Sequence, residues 1–348
     1  MSVRDFLLTR EGLHSWLSRL ARDYPLIAPV EEEKGVITFK QVGGPQEIVF
    51  DCAPSTLPPK EWFLPSTEEL FAFSTAGGGI TLQEPPGPKE RVLFGLHPCD
   101  VRALLALDPV FGGTYPDPYY LGRRKATIIV ALSCTKPGPY CFCPAVGGDP
   151  VVAAGADLLL TESGSSFAVK AMTSRGEEII QRYPGHFAPD EEGRGERARQ
   201  ELAGQLAGMF AFLPDLRGVK EFLDGHFELP YWEEVASRCL GCGICTYTCP
   251  TCHCFDIFDQ SWDGARGLRA RCWDSCMFSQ FTRMAGGHNP RPTQKERVRN
   301  RFLHKLKYHQ DRYGLGGCVG CGRCVAKCPV NIDIRRIIGD LKELASHG

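Results

Sequence analysis

An excess of charge of either sign is what this chain most plainly lacks. Its 348 residues carry 40 Lys and Arg against 41 Asp and Glu, a formal net charge of −1. That balance argues against a nucleic-acid coat and an acidic tail. Long apolar runs are missing too. Thr127-Ile-Ile-Val-Ala-Leu132 typifies the longest, and no membrane span is expected. Met1-Ser-Val-Arg-Asp5 leads into no apolar signal region, so a cytoplasmic location is expected. There is no G-x-G-x-x-G between a strand and a helix and no Walker A loop, the turns that cradle dinucleotide and nucleotide phosphates. No Ser/His/Asp set and no paired-carboxylate frame is recognisable.

Cysteine is in excess, at 17 residues. In a chain without a secretion signal, many thiols read as metal-binding rather than disulfide-bonded. Five lie before residue 150, none between Cys143 and Cys239, and twelve from Cys239 onward. Two stretches nearly repeat each other: Cys239-Leu-Gly-Cys242-Gly-Ile-Cys245-Thr-Tyr-Thr-Cys249-Pro250 and Cys318-Val-Gly-Cys321-Gly-Arg-Cys324-Val-Ala-Lys-Cys328-Pro329. Each is a C-x2-C-x2-C-x3-C-P run, the spacing that binds a [4Fe–4S] cluster, with the fourth cysteine serving the other cluster in two-cluster proteins. By that crossing, Cys239, Cys242, Cys245 and Cys328 hold cluster one. Cys318, Cys321, Cys324 and Cys249 hold cluster two. Zinc is the competing reading, but its sites use Cys-x2-Cys pairs across a long gap, and a third cysteine two residues on serves no purpose for one tetrahedral ion. Gly241, Gly243, Gly320 and Gly322 stand beside the ligands, where the backbone must take positive φ and bring N–H groups close to sulfur. Such thiols and irons oxidise readily, which suggests an anaerobic or low-potential setting.

The cysteine distribution sets the expected organisation, an α+β chain of two domains. A boundary is placed near residue 230. Residues 1–230 read as an α/β domain with a partly parallel sheet. Residues 5–23 show a helical apolar stripe, 91–97 and 127–133 read as buried strands, 99–107 as a helix, and 156–161 as a third strand. A helix is expected near 196–212. Residues 231–348 read as a mostly α-helical, ferredoxin-like two-cluster domain, its runs separated by the long insert 251–317. In that insert Val298, Phe302 and Leu306 form one helical stripe, and the other faces are basic. From Gly264 to Arg312 twelve Lys and Arg stand against three Asp and Glu. Those cations either offset the negative charge of thiolate clusters or form a docking patch for an acidic partner.

The remaining cysteines are less specific. Cys99 and Cys134 each follow a predicted strand. If those strands are neighbours, both emerge at the carboxyl edge of the sheet, where ligands bind in open α/β folds. The Pro/Gly-rich loop after Cys134 brings Cys141 and Cys143 within reach. These four are read as a third metal centre, an iron–sulfur cluster; the alternative is buried thiols packed as small apolar side chains. Cys252, His253 and Cys254 follow the first run, and Cys272 and Cys276 stand at a helix-like spacing of four. They are read as packing around the clusters, with another metal or a sulfur substrate as alternatives, and His253 as structural. Cys52 lies alone and has no assignment.

Leu93-Phe-Gly-Leu-His-Pro-Cys-Asp-Val-Arg-Ala-Leu104, Cys141-Phe-Cys143, Cys249-Pro-Thr-Cys-His-Cys-Phe-Asp256, Trp273-Asp-Ser-Cys-Met277, Gly286-Gly-His-Asn-Pro-Arg291 and His304-Lys305 together resemble the iron–sulfur β subunits of cytoplasmic NiFe hydrogenase/sulfur reductase (sulfhydrogenase). They are similar also to the A-type subunits of anaerobic sulfite reductase. The resemblance runs from about residue 90 to the carboxyl end and more weakly before it. It implies a helical ferredoxin-like tail and an electron-transfer subunit of an oxidoreductase complex. Such a subunit relays electrons between a flavin/NAD(P)-binding partner and a catalytic partner of hydrogenase, sulfite or sulfur reductase, or heterodisulfide reductase type. A second reading has the chain itself reduce a sulfur compound at Cys254 or Cys276. A redox sensor on nucleic acid is the third and weakest, given the neutral charge and no recognisable DNA module.

Overall fold

The computed structural model describes residues 5–51, 53–76 and 78–347, so Cys52 lies outside the described residues. Twelve strands are present in them: β1 Asp5–Thr9, β2 Leu26–Glu33, β3 Val36–Val42, β4 Thr67–Ser74, β5 Thr81–Gln83, β6 Arg91–Leu96, β7 Thr127–Leu132, β8 Leu158–Ser163, β9 Ser166–Ala171, β10 Ala188–Pro189, β11 Phe255–Asp263 and β12 Arg266–Trp273. Eight form one sheet in the order β10-β1-β9-β8-β7-β6-β2-β3. Its centre, β2, β6, β7 and β8, is parallel, and its flanks are antiparallel.

Side-chain alternation makes this sheet a divider between two cores. Val92, Phe94, Ile128 and Val130 face the helix Arg10–Asp23 through Leu13, Trp16, Leu17 and Leu20. Leu93, Leu96, Ile129 and Ala131 face the helix Pro98–Phe111 through Val101, Leu104 and Leu107. Both faces are covered, so β7 is buried at every position and reads as an unbroken apolar run. The first expected helix begins later than its apolar stripe suggested. Residues 5–9 pair with β9 instead, and Thr9 caps the helix by accepting from the Gly12 N–H.

A third core lies in the carboxyl-terminal part. Trp232, Val298, Phe302, Leu303, Ile338 and Leu341 join the helices Tyr231–Arg238, Gln294–Leu303 and Ile334–His347. Phe142 from the amino-terminal part is buried in it as well. The basic helix passes at His304–Tyr308 into one π-helical turn and resumes at His309–Tyr313.

The mostly helical expectation for this part missed the hairpin β11–β12. It pairs with β4 to make a second sheet, β11-β12-β4-β5, so a strand pair from beyond residue 230 is completed by strands before it. Non-local pairing supplied what local pattern did not show. Arg271 of β12 makes buried ion pairs with Glu68 and Asp117, which fixes the register. Cys272 therefore lies on a strand and Cys276 in the loop beyond it, not on one helix face. More contacts cross residue 230: Arg323 to Asp100 at 2.6 and 2.9 Å, Lys60 Nζ to the Cys252 carbonyl at 3.0 Å, and His309 Nε2 with the Ala106 carbonyl at 3.1 Å.

Candidate iron–sulfur centres

The two runs fold alike. Gly241, Gly243, Gly320 and Gly322 all have positive φ, between 66° and 76°, and Gly243 and Gly322 each open a short helix, Ile244–Tyr247 and Arg323–Ala326. Cys239, Cys242, Cys245 and Cys328 line one apolar cavity with Met277, Val298 and Phe302, and Cys324 borders it too. The Ile332 N–H donates to Cys328 Sγ at 3.2 Å, Gly241 N–H to Cys239 Sγ at 3.4 Å, and Gln294 Nε2 to Cys239 Sγ at 3.1 Å. N–H groups aimed at sulfur stabilise thiolate over thiol.

Cys318, Cys321, Cys324 and Cys249 form the second group. Burial pushes Cys318 up to about 11, and the neighbouring Cys249 and Cys321 add to the shift. Burial also raises Cys324, with Cys249, Cys318 and Cys321 contributing. Cys249 itself is held well below the usual thiol range, because Cys252 donates to its sulfur and Lys305 and Arg301 lie near.

Cys99, Cys134, Cys141 and Cys143 also converge. Strands β6 and β7 are parallel neighbours, which brings Cys99 and Cys134 to one sheet edge. The loop after Cys134 folds back, with Cys141 N–H on the Gly138 carbonyl at 3.0 Å. Burial pushes Cys134 to about 11 and Cys141 and Cys143 to about 12, and the nearby Cys134 and Cys321 add to the shift of the last two. Such thiols keep their protons unless a metal replaces them. This set abuts the second run. Phe142 N–H donates to the Gly320 carbonyl at 2.8 Å, and Cys141 Sγ lies 3.5 Å from the Cys321 carbonyl. A Cβ on Gly320 would fall 2.5 Å from the Cys143 Cα, so only glycine fits that contact.

The donor chemistry of all three groups suits [4Fe–4S] clusters: four cysteines each, in a frame of N–H donors and cations. A zinc ion draws its sulfurs to about 2.3 Å. Among the described residues no group of three or more His, Cys, Asp or Glu side chains is arranged to hold a single metal ion.

The cations expected on the outer faces of the helix 294–309 largely point inward. Arg297, Arg299, Arg301 and Lys305 are buried. Arg301 Nε donates to Cys245 Sγ at 2.9 Å and Nη2 to the Cys245 carbonyl at 3.1 Å. Burial alone would lower Arg301, but the thiolates of Cys245, Cys324, Cys252 and Cys249 outweigh it. Lys305 is likewise buried and held above its ordinary value by Cys249 and Cys252. Charge offset accounts for Arg301 and Lys305 better than a docking patch does, while Arg297 is held by the Arg291 and Pro292 carbonyls and Arg299 pairs with Glu228. Sequence reading did not single out Arg301, Lys60, Gln294 or the Arg323–Asp100 pair. The one available signal was Arg297, Arg301 and Lys305 at spacings of four beside the apolar stripe.

Residues 238–332 match the model of a family described as a 4Fe-4S dicluster domain. Over 341 residues the chain is 34% identical to "Sulfhydrogenase 2 subunit beta" of Pyrococcus furiosus, an alignment covering 98% of this chain and 99% of that relative. The chain belongs to the family of sulfhydrogenase β subunits. It is thus an iron–sulfur, electron-transfer subunit with a mixed α/β fold and a carboxyl-terminal 4Fe–4S domain. Among the described residues no helix is long and apolar enough to cross a membrane.

Proposed function

We propose that the chain is an electron relay between a flavin- or NAD(P)-binding subunit and a catalytic redox subunit, working in the cytoplasm. In this reading Cys239, Cys242, Cys245 and Cys328 hold one [4Fe–4S] cluster, and Cys318, Cys321, Cys324 and Cys249 a second. Cys99, Cys134, Cys141 and Cys143 hold a third iron–sulfur centre. Residues 231–348 form the cluster-bearing domain and 1–230 an α/β domain docked to it. When bound, the clusters supply one-electron transfer at low potential. The protein's part is to hold thiolates, exclude water and set the local charge.

The observation that carries the reading is the serial arrangement of the thiol groups. Arg301 touches Cys245 and lies beside Cys249 and Cys324, linking the first group to the second. The Cys141–Cys143 loop lies on Gly320 and Cys321, linking the second to the third. Anaerobically reconstituted protein should hold about twelve irons per chain with three cubanes and about eight with two. Cys143→Ala should remove one spectroscopic signal and about four irons. An iron count equal to the parent's would end the third centre, and stoichiometric zinc with little iron would end the relay.

A further inference from the structure

Beside the two carboxyl-terminal thiol groups lies a cavity of about 470 Å³ that neither group occupies. Cys254 and Cys276 both line it, close enough for each thiol to shift the other's titration. The loop between hairpin and cavity holds this pair in place: the Asp274 N–H donates to the Cys254 carbonyl at 3.0 Å, and Ser275 is anchored to Thr246 at 2.8 Å. The rest of the lining mixes aromatic, histidine and cationic side chains with a third thiol, Cys252. Arg291, Arg301, Lys305 and Arg312 border the cavity, with no carboxylate among the described lining residues. Arg301 is 5% exposed and lines both this cavity and the one shared by Cys239, Cys242, Cys245 and Cys328, and its Nη1 finds no hydrogen-bond partner among the described residues. A buried guanidinium N–H left without an acceptor is costly unless a ligand supplies one. That charge selects an anion, and the paired thiols select something that reacts with sulfur.

We propose that Cys254 and Cys276 are a redox-active dithiol that exchanges with small anionic disulfides bound in this cavity. Hydrogen bonding from Cys276, with Lys305 and Lys60 nearby, holds Cys254 down to about 7 against the effect of burial, so Cys254 is the attacking sulfur. Its thiolate attacks one sulfur of R–S–S–R. A Cys254–S–S–R bond forms, the ligand's S–S bond breaks, and one thiolate leaves. Cys276 then loses its proton and attacks the Cys254 sulfur, releasing the second thiolate and leaving a Cys254–Cys276 disulfide. The dithiol loses two electrons, the ligand gains two, and the two thiol protons end on the released thiols. Resetting the pair takes two electrons and two protons. The electrons come from the proposed iron–sulfur centres, and in that half the inference rests on the relay reading. The exchange half does not.

The full chain, purified anaerobically with its native metal content, is mixed with 3,3′-dithiodipropionate, a dianion, or with cystamine, a dication. Samples are quenched in acid, alkylated and mapped by mass spectrometry. A Cys254–Cys276 linkage should appear, at low salt at least about tenfold faster with the dianion. Cys276→Ser should trap the mixed disulfide on Cys254, Arg312→Gln should narrow the preference between the probes, and Cys272→Ser should change neither. Equal rates with both probes, or both thiols alkylated after the dianion treatment, overturns the proposal. So does loss of iron in Cys276→Ser, which makes Cys276 a metal ligand instead. Low iron in the parent chain counts against the relay alone, because the exchange draws no electron from a cluster.

Discussion

The two cysteine runs are nearly one peptide written twice, 79 residues apart (239 to 318), yet they occupy opposite situations. Backbone conformation is shared, down to φ of 76° and 73° at Gly243 and Gly322. Surroundings are not. Leu240 is 67% exposed, while its counterpart Val319 is 3% exposed. Ile244 is 36% exposed; at the same place in the second run stands Arg323, 4% exposed and paired with Asp100 in the amino-terminal part. Cys242 is exposed, whereas Cys321 is half-buried and adjoins Cys141. Motif spacing therefore dictates the local fold of the ligands, and the residues between them decide what each site does. In the proposed relay, the first run would present its site to an incoming redox partner, and the second would be an interior step toward the Cys99–Cys143 group.

Serine substitutions should expose that difference most strongly. Ligand binding is coupled to folding. Cys321→Ser should cost about four irons and also open the contact with the Cys141–Cys143 loop, making the chain sensitive to protease on both sides of residue 230. Cys242→Ser should cost about four irons with little change in proteolysis beyond its own loop. Anaerobic iron assay with limited proteolysis checks both. Equal collapse in the two variants breaks the comparison.

Asp100→Asn is the next largest effect. It leaves the Arg323 guanidinium buried without its carboxylate, a loss of about 3–5 kcal/mol. Ile244→Ala at the matching position should change stability by only about 0.5 kcal/mol. Anaerobic denaturant midpoints measure both, and similar values would mean that Arg323 is not what ties the second run to the sheet.

The difference between the runs was only partly legible in the sequence. Cys-x2-Cys-x2-Cys-x3-Cys-Pro is a local code, since consecutive ligands fix the turn and the glycines it needs. The buried strands β6 and β7 were equally plain, because residues 92–96 and 128–132, covered on both faces, leave unbroken runs without a polar side chain. Their adjacency then brought Cys99 and Cys134 to one edge, as the carboxyl-end rule anticipates. What escaped was long-range. The hairpin 255–273 pairs with residues 67–74, about two hundred positions away, and its exposed strand β11 mixes charges with apolar residues in no strand-like alternation. Arg323 looked like any surface cation until Asp100 was opposite it. The role of Arg301 depends on a helix face turning toward sulfur, and composition alone made it one of twelve cations.

Glycine substitutions sharpen the comparison on a smaller scale. Gly241→Ala and Gly320→Ala share a left-handed backbone, φ 66° and 69°, and so share a strain of about 1–2 kcal/mol. At Gly241 the new methyl meets only the Gln294 side-chain amide, at 3.1 Å, which can move. At Gly320 it meets the Cys143 backbone at 2.5 Å, which cannot. Gly320→Ala should therefore be the more destabilising and should perturb the signal assigned to the third centre, while Gly241→Ala leaves that signal alone. Identical spectra in both would place the Cys141–Cys143 loop farther from any metal than proposed.

The smallest effect concerns the outward face of the first run. Ile244→Lys adds a cation next to Cys245 at a position with room for it and should leave stability within about 0.5 kcal/mol. If this face is where electrons are exchanged, reduction by dithionite, an anion, should speed up several-fold at low ionic strength and return to the parent rate as salt screens the charge. The accelerated phase must be the centre lost in Cys242→Ser. Stopped-flow absorbance at two salt concentrations, run on both variants, reads this directly. A rate insensitive to the new charge, or an acceleration of the centre lost in Cys321→Ser, would move the point of exchange away from Cys242 and toward a second cavity, which Cys99 and Cys143 line with Arg102 and Asp149.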